Sequence, residues 1–168
     1  MSNISNAKAD PIGQIWDKLD KVHAVMLGSP DHRQHMQPMA PQSAREENAV
    51  WFYTKTTTGI ARAAGGGGGH VHLCIVGDND WYACLDGHLE TVRSPAHAER
   101  FWSSITDAWY PGGKDDPELV MLKFTPSTGE IWASTSSTLK FGWEIAKANL
   151  TDEEPDVGYK TAVNFRAA

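Results

Sequence analysis

Hydrophobic positions along this chain fall into short blocks whose spacing switches between helical and alternating. Ile12, Ile15, Trp16 and Leu19 recur at i, i+3, i+4 and i+7, one face of a helix ending near Lys21. Asp10-Pro11 supplies its start, a carboxylate at the N-cap and a proline at the first helical position. Val22 to Leu27 is a brief apolar run stopped by Gly28-Ser29-Pro30-Asp31, which predicts a first strand and turn. From Gln34 to Ser43 the pattern is ambiguous. Pro38 and Pro41 donate no N–H, so a strand there is expected to be edge-like or irregular. Val50 to Thr54 is entirely β-branched or aromatic and gives the clearest strand. Thr56, Thr57, Thr58 and Gly59 follow, then a short helical stretch from Ile60 to Ala64.

Beyond the five glycines Gly65 to Gly69, Val71, Leu73 and Ile75 alternate with His70, His72 and Cys74, a half-buried strand. Asp78-Asn79-Asp80 then turns the chain into Trp81 to Val92, predicting a β-hairpin. Ser94-Pro95 repeats the cap-plus-proline signal and opens a helix carrying Phe101, Trp102 and Ile105. Leu119 to Thr125 and Glu130 to Ser134, parted by residues 126–129, are expected as a second hairpin. Thr138 to Ala148, with Phe141 and Ile145 four apart, reads as a final helix, and residues 151–168 as a polar tail. Strands that arrive mostly as hairpins imply an antiparallel sheet. The expected fold is mainly β: one domain over 1–168, its core about 10–150, with roughly six strands closed or nearly closed into a barrel and flanked by helices.

The 168 residues suffice to bury a core without a metal or disulfide. Fifteen Lys+Arg against 21 Asp+Glu give a net charge of −6 with no basic block, which argues against nucleic acid or an anionic membrane as partner. No apolar run approaches ~18 residues and the N-terminal segment is polar, so a soluble cytoplasmic protein is expected.

Little catalytic chemistry is visible. The glycine run lacks the Lys-Ser/Thr of a phosphate loop; His70-Val71 stands there instead. His70 and His72 share a strand face and could ligate zinc or iron beside Cys74. A third ligand would have to come from His23, His35, His88 or His97, none at a characteristic spacing, so no metal site is assigned. There is no Gly-x-Ser-x-Gly, and neither cysteine has a histidine that the sequence places next to it. Asp115, Asp116 and Glu118 read as a solvated loop. One constellation stands apart: Val50 to Gly59 runs an aromatic strand into a hydroxyl-rich turn before a short helix. Such a strand can lie along a flat heterocycle while the hydroxyls meet a phosphate.

The order of the segments resembles the bacterial general stress protein (general stress protein 26-like) family of pyridoxamine 5'-phosphate oxidase-like, FMN-binding split barrels. Gln37-Pro38-Met39, Trp51-Phe52-Tyr53-Thr54, Phe101-Trp102 and the run Ala108 to Leu119 carry the resemblance, the last being similar to an AWFPGG-x-DDP-x-L signature. It implies a six-stranded antiparallel split β-barrel with flanking helices, paired as a homodimer with flavin in clefts between subunits. By resemblance, Gln37, Pro38 and Met39 lie along the flavin, and Trp51, Phe52, Tyr53 and Thr54 flank its ring and ribityl chain. Thr58 and Ile60 fall where the phosphate is held, and Trp109 and Tyr110 near the dimer cleft. The implied chemistry is that of an FMN-dependent oxidoreductase, with no catalytic side chain assigned.

Two departures bear on the cofactor. Gln37 replaces an arginine and Ile60 a lysine of the family pattern, so both expected phosphate cations are missing. Each lost charge-assisted contact costs about 1.5–3 kcal/mol, and two weaken binding by about two to four decades. Lys55 and Arg62 are close enough in sequence to substitute. The alternatives are FAD, no cofactor, or a non-enzymatic dimer that has lost tight FMN binding or holds another flat ligand.

Overall fold

The computed structural model describes residues 2–30, 35–134, 143, 147 and 158–166. Two helices open the chain, α1 (Asn3–Ala9) and α2 (Pro11–Leu19). Asp10 caps α2 as predicted, its Oδ1 accepting from the Gly13 N–H at 2.8 Å. Strands β1 (Val25–Gly28), β2 (Gln37–Met39), β3 (Gln42–Ala44) and β4 (Ala49–Lys55) follow, then helix α3 (Gly59–Ala63). The hairpin β5 (Gly69–Val76) and β6 (Trp81–Val92) leads to helices α4 (Pro95–Phe101) and α5 (Ser104–Asp107). Strands β7 (Leu119–Ser134) and β8 (Gly158–Asn164) complete the described elements.

The strands form one antiparallel sheet in the order β2-β1-β5-β6-β7-β4-β3, with β8 also pairing β7. Its two outer strands, β2 and β3, are separated by Ala40 and Pro41 alone. Three Cα–Cα steps reach at most about 11 Å, so the sheet must curl until its margins meet. Among the described residues there are eight strands rather than six. The extra ones are explained by Pro41, which lies at the break of one edge segment into β2 and β3, and by β8.

Residues 119–134 are a single strand, not the predicted hairpin. β4 pairs residues 119–124 and β8 pairs residues 128–134, so the sheet forks at Pro126, where a missing N–H is harmless. A bulge opposite Asp86/Gly87 absorbs one residue there and reverses the inward parity of β7. Leu122 and Phe124 point inward before it, Ile131 and Ala133 after it, so all four join one core. Glycines permit the close approach: a Cβ on Gly129 would lie 2.6 Å from Leu85 and 2.9 Å from the Cys84 carbonyl.

Residues 158–166 are not a polar tail. β8 adds to the sheet, and Val163 and Phe165 are buried in the core, where Phe165 meets Trp16 edge-on at 6.2 Å. Alternation with the exposed residues Lys160, Ala162 and Asn164 disguised this strand. Helix α1 was also unforeseen; it packs Ile4 and Ala7 on the same core. The expected helix Thr138–Ala148 lies almost wholly outside the described residues. Among the described residues, no helix is long and apolar enough to cross a membrane.

These placements predict that Phe165→Ala lowers unfolding stability by about 3 kcal/mol in denaturant titration, whereas a solvated tail would show no change. Gly129→Ala is expected to destabilise by about 1–3 kcal/mol through overpacking against Leu85, read as a lower unfolding midpoint.

Candidate functional site

Strand β4 presents two unlike faces. Val50 and Phe52 enter the main core, so Phe52 offers its ring to the barrel interior. Trp51 and Tyr53 point out of the barrel but are covered by α4, forming a second cluster with Ala44, Met121, Val92, Ala98 and Phe101. Trp51 stacks on the His97 imidazole at 3.9 Å between ring centres, and its Nε1 donates to Glu47 Oε2 at 3.3 Å. His97 Nε2 lies 2.9 and 3.0 Å from the two Glu47 oxygens. The His97 hydrogen bond is the largest influence holding the Glu47 carboxyl below the usual carboxylate range. Tyr53 donates to the Ala98 carbonyl at 2.7 Å, and burial pushes its phenol up to about 12. Trp102 links Tyr53 to Tyr110, whose phenol burial likewise raises to about 12. The fold thus gathers Trp51, Tyr53 and Tyr110 into one aromatic network, while Trp109 stands 72% exposed outside it.

At the end of β4 the hydroxyls are paired inward. Thr54 Oγ1 and Thr58 Oγ1 are 3.0 Å apart; Thr58 also donates to the Lys55 carbonyl at 2.9 Å and accepts from the Ala61 N–H at 3.3 Å as the cap of α3. Thr58 therefore has no hydroxyl proton left for another acceptor. Ile60 is 4% exposed and packs in the main core. Of the nearby cations, Lys55 pairs with Glu118 at 3.0 Å. Arg62 is exposed and hydrogen-bonds the Thr57 carbonyl, with no carboxylate partner among the described residues. Thr56 and Thr57 are exposed beside it. Gln37 and Met39 share one face of β2, the amide nitrogen 3.8 Å from the thioether sulfur, with Pro38 exposed on the other. The β3–β4 register, Gln42 opposite Trp51, runs this segment back toward the Lys55 end of β4.

The outer face of the hairpin and its neighbours is ordered in rows by register. Val76, Tyr82 and Trp132 stand opposite one another as an exposed apolar ledge. The next row sets Cys74 against Cys84, sulfurs 3.3 Å apart, and burial raises the Cys84 thiol to about 12. The row beyond sets His72 against Asp86. His70 Nε2 hydrogen-bonds Asp86 Oδ2, His72 Nε2 lies 3.6 Å from the same oxygen, and Ser127 donates to Oδ1 at 3.0 Å. Sequence reasoning missed Asp86 as the companion of the two histidines. The signal was available, because a hairpin centred on Asn79 brings Asp86 opposite His72.

Comparison with known proteins places these features in context. Residues 10–156 match the family model described as pyridoxamine 5'-phosphate oxidase like. Among solved structures, a Jannaschia sp. CCS1 protein assigned as general stress protein 26 is 39% identical, over 94% of this chain and 99% of that one, with a TM-score of 0.77. The general stress FMN/FAD binding protein of Xanthomonas citri is 30% identical, over 74% of this chain and 89% of its own, with a TM-score of 0.67. A Clostridium acetobutylicum protein related to general stress protein 26, 18% identical over 92% of this chain and 94% of its own, shares the fold at a TM-score of 0.65. No curated protein matches the chain. The split-barrel topology, the Ala108 to Leu119 segment and these matches agree: the chain belongs to the pyridoxamine 5'-phosphate oxidase-like family.

Proposed function

We propose that this protein binds a flavin, FMN, as a homodimer and acts as a flavin-dependent oxidoreductase. The reading rests chiefly on the likeness to the Xanthomonas citri protein, whose description names FMN and FAD. The exposed polar set at the end of β4 fits a phosphate. Arg62 spends one N–H on the Thr57 carbonyl and keeps further donors for an anion, and the Thr56 and Thr57 hydroxyls lie beside it. These residues take over the part that resemblance gave to Thr58 and Ile60. Gln37, on β2 beside the Met39 sulfur, offers an amide donor to a flat ring. Bound flavin would supply electron transfer, and the protein would supply orientation and hydrogen bonds. The pairing of subunits is supported by Trp109 and by the Val76–Tyr82–Trp132 ledge, contiguous apolar surface of the kind a second copy covers.

One set of observations favours a second reading, a non-enzymatic dimer without tight flavin binding. Thr58 is saturated, Ile60 is buried, and Trp51 and Tyr53 are covered by α4 within the same chain.

Titration with FMN separates the two. Flavin binding predicts quenched FMN fluorescence and retained absorbance near ~450 nm, weakened about tenfold or more by Arg62→Ala and tightened about tenfold by Gln37→Arg. Protein unresponsive to FMN leaves the second reading standing. In light scattering the dimer is expected at twice 18.4 kDa, and Trp132→Lys is expected to shift it toward the single-chain mass.

A further inference from the structure

We propose that His70, His72 and Asp86 form a binding site for a divalent first-row transition-metal ion on the outer face of the barrel, independent of any flavin. Three ligand atoms, one from each residue, lie within 4.8 Å of one another. Metal–nitrogen and metal–oxygen bonds of about 2.0–2.2 Å hold neighbouring ligand atoms roughly 3.3 Å apart, so modest side-chain rotation suffices to close around an ion. Strand geometry places the groups without help from loops. His70 and His72 are two apart on β5 and project to one side, and Asp86 faces His72 across the β5–β6 ladder.

The arrangement exceeds what an ordinary ion pair needs. A single imidazole would satisfy Asp86, yet two converge on the same carboxylate oxygen, their ring centres 5.4 Å apart. The other oxygen accepts from the Ser127 hydroxyl, which also donates to the Asp86 carbonyl at 3.1 Å. Ser127 sits in the bulge of β7, so the irregularity that forks the sheet also holds the carboxylate in place. A partner bonded to the non-ligating atom of a metal carboxylate is the usual second contact at such centres.

Two imidazoles and one carboxylate select late or borderline divalent ions, zinc or ferrous iron, over magnesium and calcium, which take oxygen ligands. Three protein ligands leave coordination positions open. They face a groove of about 570 Å³ whose walls include His72, Asp86, Glu130, Trp132 and Asn164, room for water or a small anion on the ion. Glu130 is engaged by Lys160 at 3.0 Å and is not counted among the ligands.

Calorimetric titration of the flavin-free full chain with Zn²⁺, and optical titration with Co²⁺, tests the site. One saturable ion per chain is expected, with Mg²⁺ failing to compete. His72→Ala and Asp86→Asn should each weaken binding at least about tenfold, and Ser127→Ala by about tenfold, acting through Asp86. His88→Ala, whose residue stands opposite His70 but outside the cluster, should leave affinity unchanged. Far-UV circular dichroism confirms that each variant is folded, and the half-exposed His72→Ala decides the matter if Asp86→Asn is not. Absence of one-to-one binding overturns the proposal. So does an affinity indifferent to Asp86→Asn or His72→Ala in folded protein, which would mean adventitious binding at surface histidines.

Discussion

Two residues, Ala40 and Pro41, constrain everything else in this molecule. They join the first and last strands of the sheet order, and so short a connection leaves a seven-strand path no option but to curl. Curling creates an inside, filled by Leu27, Phe52, Leu73, Leu85, Leu122 and Ile131, and an outside whose properties differ from place to place. One stretch lies under α4, another carries the apolar ledge, a third carries histidines. The functional readings above all concern that outer surface.

A second irregularity sets the register on which the surface depends. Without the extra residue near Pro126, one half of β7 would turn its apolar side chains to solvent. With it, both halves serve one core, the edge forks between β4 and β8, and Ser127 comes within reach of Asp86. A feature that relieves a packing conflict therefore also shapes polar chemistry.

Much of the fold was legible because local signals agreed with each other. Asp10 and Ser94 cap the helices they were read to cap, and β4, β5 and β6 follow their aromatic or alternating patterns to within a residue or so. The failures share a cause: a local signal overruled at long range. Pro126 and Gly129 resemble a hairpin turn, and only the partners on either side of β7 reveal a continuous strand. β8 reads as polar because alternate residues face water, while Val163 and Phe165 face a core contributed by distant segments. The site was legible by residue type more than by role. Resemblance set Trp51 and Tyr53 along a flavin, whereas helix α4 occupies their face; Ile60 turns inward and Arg62 outward as their residue types dictate, which takes Ile60 away from the phosphate position that resemblance gave it.

The contact between Trp16 and Phe165 brings α2 and the segment after β8 together across most of the chain's length. Contacts so distant along the backbone close only after a large loss of loop entropy, and proteins built on them fold slowly. The hairpin of β5 and β6 needs no such closure and can assemble early. Folding should therefore run outward from the middle of the chain, with the two extremities docking as the final, cooperative seal.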